Sequence, residues 1–179
     1  MNKPILNSKQ KLTRTNLESL MKMLASKNGV ARQKARKLLV DFGKPAVPSL
    51  TKALQNSKLY QVRWEAAKAL GAIGDIKAIP SLVKALEDKF PDVAWLAAEA
   101  LRKLKKAAWP VLLRTLIKRG SHSILLRRGA HHVLKNQKEN GFNDLLKTLT
   151  KALELESLTV QESTTMAAYN ILKRMKAKS

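Results

Sequence analysis

Val62-Arg63-Trp64-Glu65-Ala66-Ala67-Lys68-Ala69-Leu70-Gly71 is followed by Gly74-Asp75 and then by Ala78-Ile79-Pro80-Ser81-Leu82-Val83-Lys84-Ala85-Leu86. An Ala-rich helical stripe gives way, across a Gly-Asp turn, to a Pro-led one. The pattern returns in Pro91-Asp92-Val93-Ala94-Trp95-Leu96-Ala97-Ala98-Glu99-Ala100-Leu101, followed by Ala108-Trp109-Pro110-Val111-Leu112-Leu113-Arg114-Thr115-Leu116. A period of about 31 residues with two helices per unit is the signature of an α-solenoid. Such a fold presents an extended surface to another macromolecule.

Working outward, Val30, Val62, Val93 and Leu125 are expected to open successive first helices. Ala35, Ala67, Ala98 and Ala130 follow five residues on, then Leu38, Leu70, Leu101 and Val133. In the second helices the register reads Leu50, Leu82, Leu112, Leu145 and then Leu54, Leu86, Leu116, Leu149. The copy offsets are 32, 31 and 32 in the first helices and 32, 30 and 33 in the second. Variation of that size belongs in turns, because an insertion inside a helix rotates its apolar stripe off the core. The alanines allow close helix approach and the leucines fill the space between layers. Pro48, Pro80 and Pro110 are placed in the first turn of the second helices, where a missing N–H costs nothing. Asp75 and Asp92 are placed as helix N-caps.

These strings resemble the HEAT-like repeat of the phycobilisome-lyase type. The match is strongest over Val62–Leu86 and good in the third copy, where Ala94 replaces Arg63 and Arg102 replaces Gly71. It is degenerate at Val30-Ala31-Arg32 and at Leu125-Leu126-Arg127. The resemblance implies an all-α, right-handed α-solenoid of about four to five helix-pair repeats, roughly ten helices, whose second helices line a concave surface. The family includes scaffolds, bilin lyases, their chaperone relatives and some DNA-repair enzymes, so it specifies fold more than function. The expected organisation is one repeat domain over 13–176. Its repeats run at about 29–55, 59–87, 91–118 and 121–153, flanked by helices at about 16–27 and 158–176. Thr15-Asn16-Leu17-Glu18 reads as a capping box opening the first of these, and Asn28-Gly29 as its stop. The last, carrying Met166, Ala167, Ala168, Ile171 and Leu172, reads as a first-type helix without a partner. Residues 1–12 are expected to be mobile.

The absence of cysteine excludes disulfides, thiolate metal sites and a cysteine nucleophile. No apolar run approaches a membrane span and the polar start lacks a signal-peptide core, so a cytoplasmic protein is the expectation. His131 and His132 are adjacent and point about 100° apart on a helix, which keeps them from sharing one metal. With His122 they are the only histidines, and no Gly-rich phosphate loop or HExxH occurs. No cofactor and no small-molecule substrate is indicated.

Charge is the second informative feature. The chain has 35 basic and 13 acidic residues, a formal net charge of +22. Residues 1–40 carry +9 and 101–140 carry +10, against +1 for 41–100 and +2 for 141–179. A field of this sign favours polyanions. Lys52, Lys84, Arg114 and Lys147 occupy the same site of successive second helices, two residues after the core leucine, with Lys118 and Lys151 one turn further on. On a concave surface the four would form a cationic ladder with a step of about 10 Å, the usual helix-packing distance. Such a ladder could meet phosphates along a strand, although lysine is also common there as a solvated helix former.

Trp64 and Trp95 are equivalent and expected to pack against the neighbouring repeat. Trp109 and Phe142 stand at the starts of second helices as apolar staples, with Trp109 also placed to border the concave surface. Basic residues interleaved with stacking aromatics are absent. The enzymatic relatives suggest one comparison: HEAT-like alkylpurine DNA glycosylases use a carboxylate with tryptophans, for which Asp144 and Trp109 are the available pair. The reading is therefore a non-enzymatic scaffold whose basic surface engages nucleic acid or an acidic protein. The alternative is an enzyme or accessory protein of the bilin-lyase or glycosylase kind.

Overall fold

The computed structural model describes residues 14–119, 122–154 and 159–177; the expectation for residues 1–12 lies outside them. The described residues form ten α-helices and no strand. These are α1 (Arg14–Met23), α2 (Gly29–Phe42), α3 (Val47–Asn56), α4 (Tyr60–Ile73), α5 (Ile79–Ala85), α6 (Pro91–Leu104), α7 (Trp109–Arg119), α8 (Ile124–Leu134), α9 (Asn143–Glu154) and α10 (Thr159–Ala177). Helices α2, α4, α6 and α8 pack side by side as one layer, while α3, α5 and α7 form a second layer against it. Leucines and alanines of the two layers make a continuous core, with Leu50, Leu70, Leu82, Leu101, Leu112 and Leu116 essentially sealed from solvent. The small residues set the interhelical distance: a Cβ on Gly71 of α4 would stand 2.9 Å from the Ala100 Cβ of α6.

Local chemistry explains the boundaries. Helices α3, α5 and α7 are each led by a short 3-10 turn ending on a buried alanine (Ala46, Ala78, Ala108), followed by an apolar residue and proline. The prolines sit at the second helical position, where no intrahelical acceptor is lost. Asp75 caps the turn before α5 by accepting the Lys77 N–H at 2.9 Å. Asp92 is not a cap: α6 begins at Pro91, and Asp92 lies within its first turn, where a carboxylate meets the positive end of the helix. Asn28 opens α2 rather than stopping α1, since its Oδ1 accepts from Val30 and Ala31 at 2.9 and 3.3 Å. Helix α1 ends earlier than expected, at Met23, and Thr15 falls inside it.

The register also differs from the sequence expectation at both ends of the array. Arg32 donates to the carbonyls of Ser26 and Lys27, and Arg63 to those of Ser57 and Lys58, so these two arginines are equivalent and the first offset is 31. Leu39, fully buried, is therefore the counterpart of Leu70, while Val30 is 74% exposed and Leu38 is on the surface. At the far end Leu126, Ala130, Val133 and Leu134 are the buried set of α8, an offset of 33 from Val93, Ala97, Ala100 and Leu101; Leu125 is exposed. On α9 the expected offset of 33 holds, with Phe142 and Leu149 buried like Trp109 and Leu116, and Leu146, the counterpart of Leu113, is buried where Leu145 is only partly so.

Helix α10 does not continue the first layer. It packs against α7 and α9, which themselves touch little. Its core face is Thr164, Ala167, Ala168 and Ile171, spaced i, i+3, i+4, i+7. On one flank Arg174 reaches α9, donating to Asp144 at 2.7 Å and to the Gly141 carbonyl at 2.9 Å. On the other flank Leu172 and Met175 face α7. The expected unpartnered end helix is thus a partner of the second layer.

Candidate polyanion-binding surface

Lys52, Lys84, Arg114, Lys118, Lys147 and Lys151 are all exposed. They do not share one environment. Lys84 borders a cavity of about 340 Å³ with Gln55, Ser81, Asp88 and Lys89. Arg114 lines a cleft between α7 and α10, and Lys147 lies in a separate depression beside Asn136, Gln137 and Lys138. Lys52, Lys84 and Arg114 stand on the adjoining helices α3, α5 and α7, whereas α10 intervenes before Lys147. Among the described residues none of these four has an ion-pair partner.

Most of the described carboxylates, by contrast, are engaged. Arg63 and Asp88 form a buried bidentate pair at 2.6 and 2.9 Å, and that hydrogen bond raises the Arg63 pKa against the opposing effect of burial. Buried Glu65 accepts from Arg36 at 2.7 Å and ties α4 to α2. Glu87 pairs with Arg119, Glu139 with Lys106, and Asp144 with Arg174, whose hydrogen bond lowers the Asp144 pKa. The remaining cations far outnumber the acidic groups, so the basic excess has no counterion within the chain.

Glu99 on α6 accepts from Arg102 at 2.8 Å and from His132 of α8 at 2.6 Å. The Arg102 hydrogen bond, with a smaller contribution from His132, holds its carboxyl down at about 2. A depressed acid contributes stability above its unfolded pKa, near 4.5, and loses it as pH falls towards 2. Glu99→Gln is expected to remove that dependence. Urea midpoints measured at pH 7 and pH 3 should show a smaller acid-induced drop in the variant than in the parent protein, and equal drops would refute the assignment.

The aromatic expectations divide. Trp64 is partly buried, with the Lys68 ammonium 4.5 Å from its ring centre and Arg36 at 5.8 Å. Trp95 meets the His132 ring of α8, in the neighbouring repeat, at 6.3 Å as expected, yet remains 55% exposed. The reason is its place on α6: Val93, Ala97, Ala100 and Leu101 form the buried stripe, and position 95 points away from it. Trp109 is 1% exposed and meets Phe142 edge-on at 5.8 Å, which removes it from any concave surface. The glycosylase pairing therefore has no geometric basis, since Trp109 is core and Asp144 is held by Arg174. Among the described residues no cluster of three or more His, Asp or Glu is arranged for a metal, and no helix is long and apolar enough to cross a membrane. Sequence reasoning missed Lys173 and Lys176, which join Arg114 at the α7–α10 cleft; only the packing of α10 brings them there.

Residues 17–102 match the family model described as HEAT repeats. No curated protein matches the sequence. Among solved structures, a chain from the complex of CpcE and CpcF of phycocyanin lyase from Nostoc sp. PCC7120 shares the fold with a TM-score of 0.60 at 23% identity, over 86% of this chain and 98% of that one. At that identity the likeness speaks for the architecture. HEAT repeats thus run from α1 to α6 of this chain, and α7 to α9 repeat the same helix-pair arrangement.

Proposed function

We propose that the protein is a non-enzymatic binding subunit, a HEAT-repeat scaffold that recruits an acidic protein partner through cations of its second helix layer. The observation that carries this reading is the set Lys52, Lys84 and Arg114: exposed, without ion-pair partners among the described residues, and on three adjoining helices of a packed array. Long-range attraction from a charge of +22 raises the local concentration of a polyanion, and fixed helix positions give the cations a register. An acidic protein is favoured over nucleic acid because α3, α5 and α7, which hold Lys52, Lys84 and Arg114, carry one aromatic side chain, Trp109, and it is buried, so they offer no stacking platform of the kind single strands use. The structural neighbour, moreover, belongs to a complex of two proteins. A second reading, an accessory subunit of an enzyme acting on a pigment protein, is supported by that same neighbour. It differs in what the partner does rather than in how it is held.

The test is fluorescence anisotropy with labelled polyglutamate, single- and double-stranded DNA, and RNA, at about 50 and about 150 mM salt. Polyglutamate binding is expected to persist at the higher salt and to weaken at least about tenfold in Lys52→Glu/Lys84→Glu/Arg114→Glu, whereas Lys147→Glu changes it little. Nucleic acid bound more tightly than polyglutamate at the higher salt would replace the protein partner with a nucleic acid. Loss of all binding at that salt, equally for every polymer, would reduce the charge to nonspecific attraction.

A further inference from the structure

The cleft between α7 and α10 combines an apolar lining with cations and no carboxylate. Its volume is about 320 Å³, within the range of ligand sites. Pro110, Leu172 and Met175 give it an apolar floor and Tyr169 an aromatic lip. Three cations, Arg114, Lys173 and Lys176, surround that floor and no carboxylate lines it. None of the three has an ion-pair partner among the described residues. Met166, Tyr169, Lys173 and Lys176 fall on one stripe of α10, opposite its core face, with Met166 61% and Tyr169 55% exposed. An exposed apolar stripe edged by cations on a soluble helix marks a contact site more than a solvated face.

Resting on the acidic-partner reading above, we propose that this cleft takes a short acidic peptide segment of the partner, one apolar or aromatic side chain entering between Leu172 and Met175 while flanking carboxylates meet Arg114, Lys173 and Lys176. The charge selects this occupant. A second copy would bring +22 against +22, and the chain's own first 13 residues carry Lys3, Lys9 and Lys11 with no carboxylate. The apolar floor supplies what a bare cationic series does not, an anchor that holds when salt screens the charges. Helix α10 thereby continues the series Lys52, Lys84, Arg114 with Lys173 and Lys176, in place of the separated Lys147.

The probe is a fluorescein-labelled hexapeptide with two glutamates on each side of a tryptophan–leucine pair, compared with the same peptide carrying serines at the centre. At about 150 mM salt the anchored peptide is expected to bind at least about tenfold more tightly than the serine peptide. Lys173→Glu/Lys176→Glu is expected to weaken it at least about tenfold and Tyr169→Ser about fivefold, while Lys44→Glu/Lys77→Glu, remote from the cleft, leaves it nearly unchanged. All these side chains are exposed, and an unchanged far-ultraviolet circular dichroism spectrum verifies the fold. Equal binding of the two peptides, or equal losses in the cleft and remote variants, would overturn the cleft while leaving the charge-based reading intact. Absence of binding by both the hexapeptide and polyglutamate, even at about 50 mM salt, would overturn both.

Discussion

Replacing Arg63 by methionine is expected to lower the stability of the fold by about 3–5 kcal/mol, the range for breaking a buried ion pair from one side. Both side chains of the Arg63–Asp88 pair are 8% exposed, and their guanidinium–carboxylate contact is bidentate at 2.6 and 2.9 Å. Without Arg63, Asp88 keeps only the Phe90 N–H, at 2.9 Å, while the Ser57 and Lys58 carbonyls lose a donor. The pair joins the first helix of one repeat to the turn before the next, so its loss is felt at the α4–α6 junction at the centre of the array. Two contrasts make the expectation specific. Arg32, its counterpart, is 22% exposed and stands 3.8 Å from Glu65, which retains Arg36, so Arg32→Met should cost about 1 kcal/mol. The double variant Arg63→Met/Asp88→Leu should recover part of the single variant's loss, because no buried charge is left unpaired. Urea unfolding with linear extrapolation measures all three. A loss for Arg63→Met below that for Arg32→Met would show that the buried pair is not what holds the junction.

The helix pairs were legible because every level of the sequence agrees in the second and third repeats: alanines at close approaches, leucines at layer contacts, prolines at helix starts. The outer repeats were misread by one residue for a physical reason. Helix α4 is covered by neighbours on several sides and buries seven residues, whereas α2 buries only Ala35 and Leu39. Apolar residues such as Val30 are then free to stand in solvent, and an alignment by hydrophobicity follows them instead of the core. For the first repeat, though not for α8, a better marker was present. Gly43, Gly74, Lys105 and Asn136 follow the four first helices at intervals of 31, all with positive φ (72°, 68°, 51° and 62°). Two of the four are not glycine, and lysine carries no sequence signal for a left-handed conformation, so the series is visible only in the backbone. The path of α10 was illegible for a different reason: an amphipathic stripe states that a helix has a core face but not which layer will cover it. That gap hid the Arg114, Lys173 and Lys176 cluster, whose members are 59 or more residues apart from α7 to α10.

Trp109→Ala is expected to destabilise the protein by about 3–5 kcal/mol, the cost of emptying a large aromatic site in a core. The ring is 1% exposed, opens α7 directly before Pro110, and meets Phe142 in the preceding turn of α9. Phe142 is itself sealed, so the two rings pin the start of α7 to the start of α9. Pro110, the next residue, lines the α7–α10 cleft, so disturbing the Trp109 site should loosen the docking of α10. Trp109→Phe should cost far less, about 1 kcal/mol, because it keeps an aromatic edge against Phe142 and removes an indole N–H that is buried with no hydrogen-bond partner among the described residues. Trp95→Ala serves as the surface comparison: half-exposed on the first layer, it should change stability by less than about 0.5 kcal/mol. Denaturant midpoints rank the three, and the expected order separates a packing tryptophan from one free for contacts. If Trp109→Ala proved nearly neutral, the ring would have to be available at the surface, and a stacking role on the second layer would return, bringing nucleic acid back as the favoured partner. A large loss in Trp109→Ala with retention in Trp109→Phe would place its role in the core, leaving the cations of α3, α5, α7 and α10 to account for recognition.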